Sequence, residues 1–252
     1  MANSETITSA ANPLLKEVKR AIARGERTRD GLCVAEGFHL LEEARRSGRE
    51  VPVVLVAESR ERDAGRPRSG KKVVLPDPLL RSVSGTENAQ GVIALVRPPE
   101  WTLDDLFRGT ALVVALDAVQ DPGNAGTIAR SAEAFGATGV LFLEGSVSPH
   151  NPKTLRASAG SLFRVPYVVG GSLEGRNATR YATVASGGRP VGEADFRRPC
   201  VVIVGSEAHG VRAELRAGAT EVSIPTAGVE SLNAAVAASI ALYEAARQRR
   251  PR

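Results

Sequence analysis

Three glycine-bearing turns hold the residues of this chain whose types and spacing could do chemistry. The first, Asp121-Pro122-Gly123-Asn124-Ala125-Gly126, runs into Thr127-Ile128-Ala129-Arg130. Its glycines permit close backbone approach, and the helix expected after it offers unpaired N–H groups to an anion. At helical spacing Thr127, Arg130 and Ala134 share one face, so a guanidinium projects beside the turn. A capped turn with a surface arginine would use the same residues. The second turn, Val204-Gly205-Ser206-Glu207-Ala208-His209-Gly210, lacks both the G-x-S-x-G spacing of a nucleophile elbow and the Gly-Lys-Ser/Thr of a P-loop. It offers Glu207 as a carboxylate near an expected helix N-terminus, where the dipole would stabilise it with or without a further role. The third passes from Ile224-Pro225 to Ser231-Leu232-Asn233 and opens a long helix, expected from about Ser231. There Ser231 suits the N-cap, and Leu232, Val236, Ile240 and Tyr243 form an apolar stripe read as core. Asn233, a mediocre helix former in the first turn, presents an amide that needs a partner, either a ligand group or water. His39, His150 and His209 are too scattered for a metal site, so no metal is expected.

The elements that must position these turns alternate strand and helix. From residue 111 onward the strands ALVVALDAV, GVLFLEG, LFRVPYVVG, YATVASG, CVVIVG and EVSIP are near-continuous apolar runs. They are separated by TIARSAEAFGA, the helix-like NPKTLRASAG and SEAHGVRAELRAGA. This pattern predicts a parallel sheet covered on both faces, with ligands beyond the carboxyl ends of the strands, where all three turns lie. A smaller α/β unit precedes it: a helix from Pro13 to Ala23, the extended LCVAEG, the helix FHLLEEARRSG and the strands VPVVLVAES, KKVVLP and GVIALVRP. Pro98-Pro99 marks the boundary, giving domains over 1–97 and 109–252 with 98–108 as linker, EWTLDDLF forming a helix that rests on the second domain.

The 252 residues carry 42% hydrophobic content and a net charge of +5, within the range of nucleic-acid binders and of many other proteins. Six basic residues, Lys16, Lys19, Arg20, Arg24, Arg27 and Arg29, stand against only Glu17 and Glu26, a candidate phosphate-contacting surface or a solvated face with local ion pairs. The basic tail RQRRPR is read as a frayed terminus. Cys33 and Cys200 lack metal or redox spacing and are read as buried apolar residues. No run is long enough to span a bilayer, and the start of the chain lacks the apolar run of a secretory signal, so a cytoplasmic protein is expected.

Taken jointly, N-x-G-x-x-x-R, then G-S-E-x-x-G, then I-P with E-S-L-N resemble the three motifs of the SpoU (TrmH-like) branch of the SPOUT methyltransferases. The segments AEAFGA at 132–137 and ASAGSLFRVP at 157–166 agree, and the resemblance covers about residues 112–247. More loosely, ITSAANPLLKEVKRA, VAEGFHLLEEA and TENAQGVIAL resemble the L30e-like substrate-binding domain of many family members. The resemblance implies an α/β trefoil-knot catalytic domain with a mostly parallel sheet, a smaller N-terminal α/β domain that binds RNA, and a homodimer. It implies S-adenosylmethionine as cofactor, held by Val204, Gly205, Ser206, Glu207, Gly210, Ile224, Leu232 and Asn233. By the same match Arg130, Asn124, Glu207, Ser231 and Asn233 would carry methylation of a ribose 2′-hydroxyl in RNA, 23S or other ribosomal RNA. The stretch from Ile224 to Ser231 is one residue shorter than the family's usual spacing, implying a tighter cofactor loop. A transfer-RNA methyltransferase and a non-catalytic RNA-binding protein are the alternatives on the same fold. A dinucleotide-dependent oxidoreductase would need a strand-following G-x-G-x-x-G, which is absent.

Overall fold

A computed structural model describes residues 3–65, 70–86 and 89–250. Glu87 and Asn88 of the segment TENAQGVIAL and the last two residues of the basic tail lie outside the described residues. In chain order the first elements are β1 (Asn3–Thr6), α1 (Pro13–Arg24), β2 (Cys33–Glu36), α2 (Phe38–Arg46), β3 (Val53–Ala57), β4 (Lys71–Leu75), α3 (Asp77–Val83) and β5 (Val92–Val96). There follow α4 (Leu103–Leu106), β6 (Leu112–Asp117), α5 (Pro122–Ala134), β7 (Gly139–Phe142), α6 (Pro152–Ala157) and β8 (Tyr167–Val169). The last are β9 (Thr179–Thr183), β10 (Arg189–Pro190), β11 (Cys200–Gly205), α7 (Ala213–Ala217), β12 (Thr220–Ser223) and α8 (Ala234–Arg249). They form two compact units, one of Met1–Pro99 with His150–Phe163 and one of Glu100–Pro149 with Arg164–Arg252.

The first unit is a five-stranded sheet in the order β1-β4-β3-β5-β2, with β1, β4 and β3 parallel and β5 antiparallel to both β3 and β2. Asn12 caps α1, accepting from the Leu14 amide at 2.9 Å, and Pro13 presets its first turn. Gly25 ends that helix in the left-handed region at φ 65°, returning its N–H to the Ala21 and Ile22 carbonyls. The buried face of α1, Leu15, Val18 and Ala21, packs with Leu55, Val73, Leu75 and Ile93. β1, whose four residues are NSET, has no apolar signature, and α3 is a short helix between strands that buries Leu80 and Val83.

Segment 150–163 brings polar groups into this unit. Glu36, at the end of β2, is buried and accepts from Ser84 Oγ at 2.8 Å, the Gly85 amide at 2.7 Å and Arg156 Nη1 at 3.1 Å. Three donors offset the cost of taking a carboxylate out of water. Beside it, Cys33 Sγ lies 3.3 Å from His150 Nδ1. Burial pushes the Cys33 thiol up to about 12, and burial, with Arg27 nearby, brings the His150 imidazole down to about 4.

The second unit is a seven-stranded, wholly parallel sheet in the order β10-β12-β9-β11-β6-β7-β8. Its central strands β6 and β11 are buried along their whole length, as a sheet covered on both faces requires. The chain steps from β6 outward through β7 to β8, then returns to build the other half from β9, so the order reverses between β6 and β11. Such a reversal opens a crevice at the carboxyl ends. α5 and α8 pack on each other through small residues, Ser131 Oγ meeting Ser239 Oγ at 2.7 Å. The short helix α4 packs on β7 and β8 in this unit. No helix among the described residues is long and apolar enough to cross a membrane.

Three local expectations are corrected. α8 begins at Ala234 with Asn233 as its N-cap, so Ser231 is not the cap. Its buried face is Ala234, Ala235, Ala238, Ala241, Leu242 and Ala245, while Val236 and Tyr243 are about half exposed, because alanines allow the close approach to the sheet that larger side chains would block. The tail is held as far as Arg249, whose guanidinium donates to the carbonyls of Phe196, Thr110, Ala111 and Arg198.

The His150 environment generates a pH dependence. The imidazole titrates lower in the folded chain than the 6.5 of an exposed histidine, so between those values the unfolded chain binds more protons. Stability is therefore complete above about pH 6.5 and falls by about 3 kcal/mol as pH drops to about 4. Denaturant titrations across that range should show the loss, and His150→Gln should flatten it.

Candidate functional site

The carboxyl ends of β6 and β11 lie side by side, with Asp117 in register with Gly205, and each leads into one of the glycine-bearing turns. After β6, Asp121 caps α5 by accepting the Asn124 amide at 2.7 Å, which fixes the Asn124 backbone. After β11, the chain folds back at once: Ser206 and Gly210 form a bridge, the Gly210 amide donates to the Ser206 carbonyl at 2.9 Å and the His209 amide to Ser206 Oγ at 3.2 Å. Gly205 makes this reversal possible, because a Cβ there would stand 2.0 Å from the Gly210 carbonyl carbon. Asp117, fully buried, then catches the returning chain, accepting the Arg212 amide at 2.7 Å and Arg212 Nε at 2.6 Å. Glu207 consequently sits in a turn, and the helix that follows, α7, starts only at Ala213. The expected helix-dipole stabilisation of Glu207 is absent.

A relay of amides joins the three turns. Asn233 Nδ2 donates to Asn124 Oδ1 at 3.0 Å, and Asn124 Nδ2 donates to Glu207 Oε1. Asn233 Oδ1 meanwhile accepts the Ala235 and Val236 amides at 2.9 and 3.2 Å, so one side chain both caps α8 and orients the relay. The partner that Asn233 needs is thus Asn124. Residues 83 and 109 positions from Asn124 converge on it because the strand order places their turns around one crevice.

A cavity of about 380 Å³ opens on the β9 side of β11. Val204, Gly205, Ser206, Glu207, Gly210, Ile224, Ser231, Leu232 and Asn233 all line it; Asn124 and Arg130 do not. Sequence reasoning missed Thr183, Val184 and Ala185 at the end of β9, Val191, and the α8 face of Ala234, Ala237 and Ala241. Two signals were present: the strand YATVASG also ends in a glycine-bearing turn, and alanines spaced by three and four mark a close-packed helix face. Among the described residues, the only hydrogen bond made by segment 225–232 joins Thr226 Oγ1 to the Val229 carbonyl at 2.9 Å, so its backbone groups stand available to a ligand. Arg130 is exposed on α5, and its side chain bonds to nothing among the described residues. None of the His, Cys, Asp and Glu side chains among the described residues cluster as a metal site.

In the first unit the basic stretch divides. Arg20 is held by Glu17 and Glu26, and Glu17 also accepts the Arg29 amide, so the carboxyl of Glu17 lies below the usual range, mainly through Arg20. Lys16, Lys19, Arg24 and Arg27 are exposed, with side chains free of hydrogen bonds and ion pairs among the described residues, and Arg29 is exposed beside them.

Residues 111–243 match the sequence profile of the SpoU rRNA Methylase family, and residues 12–94 match that of the MRM3-like substrate binding domain. The 23S rRNA (guanosine(2553)-2′-O)-methyltransferase RlmP of Bacillus subtilis is 34% identical over 94% of this chain and 97% of its own. The 23S rRNA (uridine(2479)-2′-O)-methyltransferase of Streptomyces viridochromogenes is 34% identical, covering 90% of this chain and 86% of that protein. Among solved structures, the SpoU methyltransferase AviRb of S. viridochromogenes, in complex with the cofactor AdoMet, superposes with a TM-score of 0.82 at 31% identity, over 94% of this chain and 99% of that one. An AdoMet-bound rRNA methyltransferase from Sinorhizobium meliloti gives a TM-score of 0.84 at 27% identity, covering 97% and 98%.

The packing at Gly205 generates a prediction. Gly205→Ala should displace the turn at 206–210, lowering stability by about 1–3 kcal/mol through overpacking. Hydrogen exchange should report faster exchange of the Gly210 amide while the strand amides of β6 stay protected.

Proposed function

The chain belongs to the SpoU rRNA methylase family, and we propose that it transfers the methyl group of S-adenosylmethionine to a ribose 2′-hydroxyl of ribosomal RNA. The observation that carries the reading is the relay from Asn233 through Asn124 to Glu207 at the mouth of the cavity. The cavity fits the cofactor's chemistry. Its volume lies in the range of small-molecule sites. Val204, Val222, Ile224 and Leu232 give apolar walls for an adenine ring, and the unpaired backbone of 225–232 supplies donors and acceptors for its edge. Ser206, Ser231 and Asn233 offer polar contacts to ribose and amino-acid groups. The cofactor supplies an electrophilic methyl group, so the protein's share is alignment of the attacking oxygen and disposal of its proton.

Within the relay each residue has a defined part. Asn233 is used twice over and holds Asn124, and Asn124 turns Glu207 toward the crevice. Glu207 has a second carboxylate oxygen to accept the ribose hydroxyl. A guanidinium has donors and no acceptor, so Arg130 acts by charge, stabilising the developing oxyanion or gripping the neighbouring phosphate, and not as the base. Ser231 contacts the cofactor and no longer needs a structural role as cap.

The exposed apolar strip on α8 supports a homodimer. Val236 and Tyr243 are large and solvent-facing, and Phe135 of α5 meets the Tyr243 ring edge-on at 5.7 Å between centroids. A second copy packed on that strip would bury it and bring another chain's residues near the α5 face that carries Arg130. Lys16, Lys19, Arg24, Arg27 and Arg29 give the first unit a surface for the RNA backbone, with Arg20 spent on holding Glu17. A ribosomal RNA substrate fits a cytoplasmic enzyme.

Mapping of 2′-O-methyl marks in RNA from cells lacking the gene should reveal one missing ribosomal mark, restored by the wild-type chain. Arg130→Ala and Arg130→Lys should both lose turnover by orders of magnitude with S-adenosylmethionine affinity, by calorimetry, little changed. Failure of the wild-type chain to bind S-adenosylmethionine would leave a binding protein on this fold. Tyr243→Asp should shift the species seen by light scattering from dimer to monomer and reduce methylation with it.

A further inference from the structure

Arg212 closes the turn that carries Glu207, and four of the five N–H groups of its guanidinium are left without a partner among the described residues. Asp117 engages its backbone amide and its Nε, at 2.7 and 2.6 Å. Nη1 and Nη2 bond to nothing among the described residues, and the side chain is 46% exposed while that of Asp117 is wholly buried. Arginine has many rotamers, and holding it at Nε removes most of that freedom in advance, so its terminal N–H groups form a fixed fork. A buried carboxylate engaged by the backbone amide and one guanidinium N–H of the same arginine is an expensive way to close a loop unless the remaining N–H groups are also used.

Its location indicates by what. The cofactor-sized cavity lies on the β9 and β12 side of β11, and Arg212 is not among its lining residues. Asp117 ends β6, on the opposite flank of β11. The relay runs from Glu207 and Asn233, which line the cavity, to Asn124 on α5 after β6, which does not, so a substrate meeting Asn124 from outside the cavity arrives on the β6 side, where Asp117 holds Arg212. We propose that Arg212, oriented by Asp117, binds a backbone phosphate of the RNA next to the target ribose. Resting on the methyl-transfer reading, this assigns the guanidinium fork to substrate and not to the cofactor carboxylate. Asp117 is then a positioning residue for both the Glu207 turn and the phosphate contact.

The test compares wild type, Arg212→Lys, Arg212→Gln and the double variant Asp117→Asn with Arg212→Gln, which removes both charges together and leaves no lone buried carboxylate. Binding to deproteinised 23S rRNA is measured across a salt series, S-adenosylmethionine affinity by calorimetry, and methylation as separate kcat and KM for RNA. Losing one phosphate contact should weaken RNA binding about tenfold at low salt and reduce the slope of log affinity against log salt by about 0.7–1. KM for RNA should rise in step with the weaker binding, S-adenosylmethionine affinity should stay within about twofold, and Arg212→Lys should keep the slope while losing part of the affinity. An unchanged salt slope in the double variant overturns the proposal and leaves Arg212 a loop brace. A matching fall in S-adenosylmethionine affinity also overturns it, since the fork would then serve the cofactor. RNA binding is read apart from turnover. Should wild type fail to methylate while the slope still falls, the methyl-transfer reading fails and the phosphate contact is supported.

Discussion

The parallel pairing of β11 with β6 is the constraint from which the site follows. With Gly205 opposite Asp117, the turns after the two strands leave the sheet at the same level and side by side. A shift of one residue would turn the strands' side chains to the opposite faces, and a shift of two would part the turns by a pleat. Either would separate Asn124 from Glu207, residues 83 apart in sequence that now share a hydrogen bond. The register is secured along six consecutive pairs, from Cys200 with Leu112 to Gly205 with Asp117, every one of them buried.

Small side chains convert that register into a lined cavity. Gly205 lets the chain fold back within van der Waals range of its own backbone, and the alanine face of α8 lets the helix settle against the sheet. Close approach brings the N-terminal end of α8 to the crevice, where Asn233 caps it and reaches Asn124. The cap and the relay use different atoms of one amide, so forming the helix and orienting the relay are one event. That coupling explains why an asparagine, a poor helix interior residue, stands here: it is outside the helix.

How much of this was legible in the sequence depended on range. The three turns announced themselves through glycines and polar residues at strand ends, and eight residues read for the cofactor all line one cavity. Strand runs such as LVVALD and CVVIVG signalled a doubly covered sheet through apolar content alone. What failed was local bookkeeping that tertiary contacts decide. Ser231 and Asn233 are both good caps, and only the crevice selects between them. Val236, Ile240 and Tyr243 have core-like spacing, yet the alanines beside them face the sheet because they fit closer. β1 carries no apolar pattern, since its place in the sheet rests on backbone pairing with β4. Nothing at helical or strand period could announce that His150–Phe163, between β7 and β8 in the chain, joins the first unit, because Glu36 and Arg156 find each other across 120 positions.

The division of labour at the crevice follows from which atoms are already committed. Asn233 has given its oxygen to α8 and one N–H to Asn124, and Asn124 has given its oxygen to Asn233 and one N–H to Glu207. Neither amide titrates, so neither can take a proton from an attacking hydroxyl. Arg130 and Arg212 have donors and no acceptor and can only steady negative charge. In the proposed reaction Glu207 alone in the relay can accept, since its Oε1 is fixed by Asn124 and its Oε2 is left to orient a hydroxyl. The group that carries the proton away therefore need not be strongly basic. In the proposed reaction, once the hydroxyl is aligned and its developing charge is met by the Arg130 guanidinium, a carboxylate or a water held by it suffices, and alignment supplies more of the acceleration than base strength.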